Sequence, residues 1–564
     1  MRYATIIEWT RCARAAATLA ALLASAAFGA AAAFAGPSEA AAAPKVTLAN
    51  ATRLLEQSSF GPTAASVAQV QSLGIPAYLA QQYATPATGY TGYVYYPPSP
   101  KQGCPTGASP YCRRDNYSIL PIQMQFFRNA VKGPDQLRQR VAFALSQIFV
   151  VSGLDENQPY AMAAYQNLLL KDAFVNFRQL LSDVTLSPVM GDYLSMVNNN
   201  WTPGSDENDP KENYAREVMQ LFSIGLVELN IDATPVLKNG QPVPTYAQAQ
   251  VDGFADVFTG WTYAPKPGSN PKWPDPTYFL GSMLAIPAHH DADGGEPLLN
   301  GYTLPVNNRQ PLDLADSINN IFTHPNVGPF IGKQLIQQLV TSNPSPAYVK
   351  AVAEKFNNDG TGVRGNMQAV ITEILTNAEA RTASDAAGPT FGKLREPALM
   401  IAALLRGIGG ATQTDGLFPS GESALMQEPI FDSPTVFNYY QPSYPLPDSS
   451  LVGPPFGILG ATTSFARYDL VNQLLNASIP PNQSIDFITP TGTSLDLTYW
   501  IEAAANPTIL IADINARFFH GAMSTALNGA LTTLLNQVSA TDPTGAAKSA
   551  LYLALTSPEF QVEK

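Results

Sequence analysis

A 3.6-residue hydrophobic period runs from Val46 almost to the end of this chain, interrupted again and again by proline or glycine. Such a pattern leaves few solutions: many short helices, each apolar along one stripe, must bury those stripes against one another. The 48 prolines and 40 glycines keep each helix short, while 45% hydrophobic against 13% charged residues supplies a core rather than a disordered chain. No fixed-period repeat is present, which disfavours a solenoid. The expected fold is mainly α, an irregular multi-helix bundle with two long Pro/Gly-rich loop excursions and little strand.

The excursions run from Thr85 to Arg114, where VYY is the one strand-like piece, and from Pro265 to Pro311. Helices are expected over Thr47 to Ser59, Thr63 to Gly74, Ile119 to Ala130, Pro134 to Ser152, Gln158 to Lys171, Phe174 to Leu186, Thr245 to Gly260 and Lys393 to Ile408. Four more fit between Leu312 and Ala380, and three or four between Thr462 and Phe560, with Pro-rich loops from Phe418 to Pro455. The stripe Leu137, Val141, Ala144, Leu145 and Ile148 marks a core-facing helix. One helical domain over residues 46–564 accounts for the pattern, with a candidate internal boundary in the Ala/Ser/Gly run at 382–390.

Residues 1–35 read as a secretory signal peptide. Arg2, Arg11 and Arg14 lead into an Ala/Leu/Phe run from Ala15 to Ala35, which ends in the small-x-small site Ala33, Phe34, Ala35. Cleavage is expected after Ala35, residues 36–45 form a linker, and the absence of paired arginines points to the general export route. The expected location is periplasmic or secreted, and no later stretch is long and apolar enough to cross a membrane. A formal charge of −12 without basic clusters argues against nucleic acid or anionic lipid as partners. Cys12 leaves with the signal, so Cys104 and Cys112 remain and should pair as a disulfide closing CPTGASPYC.

The stretch DENDPKENYAREVMQLFSIGLVEL, Asp206 to Leu229, combines a helix start with a dense polar face. Asp209 fits the N-cap, Pro210 the first helical position, and Glu212 the third, where it can complete a capping box; Gly225 supplies the stop. Tyr214, Val218, Leu221 and Phe222 fall on one side, and Asn213, Arg216, Glu217 and Gln220 on the other. The polar side either faces water or lines a cleft. In the second case Glu217 serves as acid/base beside Arg216, with Asn213 and Gln220 binding.

Histidine chemistry has few places to occur, because only His289, His290, His324 and His520 exist. His324 precedes Pro325 and fits a turn or cap, whereas His520 fits packing or surface. In AHHDADGG, His290, Asp291 and Asp293 could ligate a divalent metal, the alternative being a solvated polar loop. Trp261 could stack on a sugar ring or fill the core. There is no Gly-x-Ser-x-Gly elbow and no His-Glu-x-x-His pair.

Several ordered motifs resemble the bacterial family called domain of unknown function 1800. They are RLLEQSSFGPT from Arg53, FRQLLSDVTLSPVMGDYL from Phe177, ENYAREVMQLFSIGL from Glu212, DVFTGWT from Asp256, HPNVGPFIGKQLIQQLV from His324, LTNAEAR from Leu375 and KLREP from Lys393. The resemblance implies an exported bacterial protein with a partner from another exported family, domain of unknown function 1501; it supplies no reaction. Many relatives carry histidines in the helix matching Leu137 to Ser152, where this chain has Ser146 and Ile148, and the lysine that often follows the His-Asp element is missing from DADGGEP.

Two functions remain in view. The first is an envelope or secreted binding and assembly protein that engages another exported protein or a glycan. The second is a metal-assisted hydrolase of a cell-surface polymer, with Glu217 as acid/base.

Overall fold

The computed structural model describes residues 46–201, 210–306, 309–382, 388, 390–409, 417–477, 493–538 and 542–564. The signal segment 1–35, its cleavage site, the linker at 36–45, the Asp209 cap and most of the run at 382–390 lie outside the described residues. From Lys45 to Lys564 the chain forms one compact unit. It is mainly α; among the described residues the strands are three two-stranded antiparallel pairs. No helix among the described residues is long and apolar enough to cross a membrane.

Local capping sets the first two helices. The Thr47 hydroxyl accepts from Asn50 N at the start of Leu48–Ser58. Thr63 and Ser66 form a reciprocal box at the start of Ala64–Leu73, and Gly74, with φ 79°, ends it. Further on, packing dominates. The helix Gln136–Ser146 is buried on nearly every side, with Leu137, Val141, Ala144 and Leu145 in the core and Gln136, Gln139 and Arg140 also buried. Buried polar side chains here and on a neighbouring helix reach backbone carbonyls. Gln136 Nε2 donates to the carbonyls of Asn129, Ala130 and Gly133, and Arg406 donates to Val131 O at 2.9 Å and Gly61 O at 2.7 Å. The otherwise unpaired carbonyls ending Leu120–Lys132 are thereby satisfied inside the protein.

The KLREP segment is built differently from the helix expected there. Lys393–Leu394 is a strand paired with Val562–Glu563, and the helix begins only at Pro397. Buried ion pairs radiate from it: Lys393 to Glu563 at 3.2 Å and Arg395 to Glu56 at 2.5 Å, with His520 on the second oxygen of Glu56. His520 is thus a buried member of an ion network rather than a packing or surface residue.

Other boundaries also shift. The Glu217 helix spans Asn213–Gln220, so Pro210 is not its first residue and Glu212 occupies the cap position. Lys211 N donates instead to Asn199 Oδ1 at 3.0 Å, which holds the preceding chain out of the helix. Thr245 does not cap Gln248–Val257, because its hydroxyl donates to Gly225 O. The helix from Gln136 stops at Ser146 rather than Ser152, Leu417–Leu425 interrupts the expected Pro-rich loops, and VYY is not a strand.

The two long excursions are tied down, and to each other. Cys104 and Cys112 form a disulfide with Cα atoms 5.8 Å apart. Asn167 brackets Tyr90 by accepting from its N–H and donating to its carbonyl, both at 2.8 Å. Tyr95 of the first excursion packs on Tyr278 of the second at 5.7 Å, and Lys266 of the second donates to the Tyr95 hydroxyl.

Candidate functional site

The helix Asn213–Gln220 anchors through one face. Tyr214, Ala215, Val218 and Met219 are buried; Tyr214 donates to Thr185 Oγ1 at 2.7 Å and meets Phe258 edge-on at 5.1 Å. The four expected polar residues separate. Asn213 is exposed, Gln220 is half-buried, and Arg216 turns to Glu212 at 2.5 Å and Gln248 at 3.3 Å. Only Glu217 points inward: it is 7% exposed, and its Oε2 has no hydrogen-bond partner among the described residues. Burial pushes its carboxyl above the usual range, with Arg216 opposing in part.

Other acids, which sequence reasoning passed over, act together with Glu217 on Tyr193. Tyr193, half-buried, feels Asp155, Glu217 and Glu156 together. Glu156 is buried, and desolvation reinforced by Asp192 and Asp155 pushes it up to about 9. Burial also raises Asp192, which accepts from the Tyr263 hydroxyl and is drawn back by Lys211. Aromatic rings continue outward, from Tyr263 to Phe279 at 5.8 Å, Phe279 to Tyr160 at 5.7 Å, and Tyr160 to Tyr95 at 5.6 Å. Tyr193 is thus the group on which carboxyls from separate segments, Asp155 and Glu156 on one and Glu217 on another, act together. The sequence signals for this grouping were MGDYL, inside a quoted family block, and Asp155-Glu156, adjacent acids in a chain poor in charge.

The second predicted cluster is rearranged. At Gly260, φ is 76° and an added Cβ would lie 2.9 Å from His290 N, so the DVFTGWT motif needs glycine where the two segments touch. Both ring nitrogens of His290 face protein acceptors, Nδ1 at 3.2 Å from Thr259 O and Nε2 at 3.1 Å from Asp313 Oδ2. The ring is held between these partners. Asp293 is exposed, its N–H donating to Asp291 Oδ1 at 2.9 Å. The oxygens that do converge belong to Asp256, Asp291 and Glu296, within 4.8 Å of one another. Burial raises Asp291 and Glu296, and neighbouring carboxylates add to it. An all-carboxylate set suits a hard cation such as calcium or magnesium better than zinc.

The other predicted residues take structural positions. Trp261 is 4% exposed and strand-paired with Ala285, so its ring belongs to the core and is not offered to a sugar. His324 accepts from Asn326 N through Nδ1 at 3.2 Å, and burial, with Arg364 nearby, lowers its pKa to about 4. His289 stacks on Trp273 at 4.2 Å. Among the described residues no hydrogen bond or ion pair joins Glu217 or Arg216 to His290.

No curated protein and no solved structure matches the chain. A family model does, over residues 53–562, which include Glu156, Asp192 and Glu217 as well as Asp256, Asp291 and Glu296. The chain therefore belongs to the family described as protein of unknown function, DUF1800.

Proposed function

We propose that this is an exported envelope protein that binds a polyhydroxylated cell-surface polymer at the site formed by Glu156, Asp192, Tyr193 and Glu217. The observation that carries the reading is the Oε2 of Glu217, a buried acceptor without a donor among the described residues. Co-sedimentation of the purified protein with isolated cell-wall polysaccharide tests it. Retention that drops in Glu217→Gln and Tyr193→Ala is expected; equal retention of both variants and the parent would refute the site.

One further observation favours a second reading, hydrolysis of that polymer. Burial beside Asp192 and Asp155 pushes Glu156 up to about 9, which suits it to carry a proton. In this reading Glu156 protonates the leaving oxygen, and a neighbouring carboxyl activates water. Release of new reducing ends by the parent, abolished in Glu156→Gln, is the expected result. A parent that binds the polymer and releases none leaves binding as the function.

A further inference from the structure

The helix Pro159–Asp172 begins just after Glu156 and ends in an acidic contact that the proposed binding site does not use. Asp172 is its last residue, and the following helix, Phe177–Thr185, returns Asp183 alongside it. Lys171 Nζ stands 2.7 Å from Asp183 Oδ2 and 3.4 Å from Asp172 Oδ1, which brings both carboxyls to one ammonium. The three groups are unequally wet. The Lys171 side chain is 67% exposed and that of Asp183 22%, whereas Asp172 is fully buried and neither of its oxygens has a hydrogen-bond donor among the described residues. Asp183 is better supplied, since Gln179 Nε2 donates to its Oδ1 at 2.7 Å.

A carboxylate without a donor, buried at the negative end of a helix dipole, is costly. One proton placed between the two carboxyls removes that cost, because protonated Asp172 donates to Asp183. Burial and Asp183 accordingly raise Asp172 to about 7, with Lys171 opposing. In Asp183 the effect of burial is outweighed by hydrogen bonds from Lys171, Asp172 and Gln179, which hold it below the usual carboxylate range. The charges on the helices packed around the pair turn elsewhere. Arg138 donates to the carbonyls of Leu170 and Tyr83, Arg140 to Gln338 O and Arg178 to Ala315 O, and Asp192 accepts from Tyr263.

We propose that Asp172 and Asp183 form a proton-operated latch, shut while one proton sits between them and released when that proton passes to solvent and Asp172 must be hydrated. The part it holds is the turn joining the two helices. Val175 N donates to Asp172 O at 3.3 Å, Phe177 N to Gly365 O at 2.8 Å and Met367 N to Val175 O at 3.3 Å, while Phe174 meets Tyr83 edge-on at 4.8 Å. Shut, Asp172 keeps its proton to about pH 7; open, it ionises near its ordinary 3.8. The shut turn therefore binds one more proton between those limits. Opening becomes easier by about tenfold per pH unit across that window and levels off near neutrality, where both states are ionised. The turn is tightest in acid.

Hydrogen exchange of the full chain, read by mass spectrometry in peptides covering 172–177 between about pH 4.5 and 8.5, tests the latch. Asp172→Asn keeps a donor toward Asp183 at every pH and does not titrate. The ratio of parent to variant exchange at each pH therefore cancels the intrinsic pH dependence of exchange. That ratio is expected to climb about 100-fold over the two pH units from 4.5 to 6.5 and to stay flat above about 7.5. Lys171→Met removes the one cation at an exposed position and should carry the onset of the plateau upward by at least about half a pH unit. The comparison of Lys171→Met with the parent stands even where Asp172→Asn folds poorly. A ratio that does not change with pH, or a plateau that Lys171→Met leaves in place, would overturn the latch.

Discussion

Glu156→Gln should make the protein more stable at neutral pH and leave it nearly unchanged in acid. Unfolded, this carboxyl ionises near its ordinary 4.5; folded, burial beside Asp192 and Asp155 keeps it protonated to about 9. The folded state therefore binds more protons across that window. The stability associated with protonated Glu156 is complete below pH 4.5 and is lost as pH rises toward 9. Linkage gives about 1.4 kcal/mol per pH unit, so by pH 7 the loss amounts to about 3 kcal/mol, with a ceiling of about 6 kcal/mol above pH 9. Glutamine keeps the shape and does not titrate. Urea denaturation of parent and variant at pH 4, 5.5, 7 and 8.5 should show the variant gaining steadily with pH, because titrations shared by both proteins cancel in the difference. Two stability curves that run parallel from pH 4 to 8.5 would refute the buried, protonated assignment.

Three other outcomes are expected. If Asp256, Asp291 and Glu296 hold a hard cation, calcium at about 100 times its dissociation constant should add about 2.7 kcal/mol of stability in thermal-shift assays, and Asp291→Asn should lose that gain. Glu56→Gln leaves Arg395 and His520 buried without their carboxylate and should cost about 3–5 kcal/mol by chemical denaturation; a loss below 1 kcal/mol would mean the network is solvated. Reduction, or the Cys104→Ser and Cys112→Ser pair, should lower stability by about 2–3 kcal/mol, measured as the shift in denaturation midpoint with and without reductant.

Features written in local chemistry could be read directly from the chain. Thr47 and Thr63 cap helices because a hydroxyl and a backbone N–H three residues on suffice, and the stripe from Leu137 to Leu145 is buried as its period demands. Where a distant group captured the same atoms, local signals misled. Asn199 holds the Lys211 amide that Pro210 and Glu212 seemed to commit to a helix, and Gly225 takes the Thr245 hydroxyl. The strand at Lys393 exists because Val562 and Glu563 lie beside it, which no periodicity near KLREP encodes. The site divides in the same way. Glu217 was recognisable as an acid on a well-patterned helix, but the mutual influence of Glu156 and Asp192 arises only through the tertiary fold. Asp291 was named as a ligand with His290 and Asp293, whereas the carboxylates that converge with it come from Asp256 and Glu296, which no local spacing encodes.

The pairing of Lys393–Leu394 with Val562–Glu563 also sets a time order on folding. Lys393, Arg395 and Glu56 sit in the interior, and the partner of Lys393 is Glu563 from a segment far along the chain. Until that segment docks, an uncompensated ammonium stands where the core must close. Closure of this part of the core therefore waits on a contact of long sequence separation, and Glu563→Gln should slow the last step of folding.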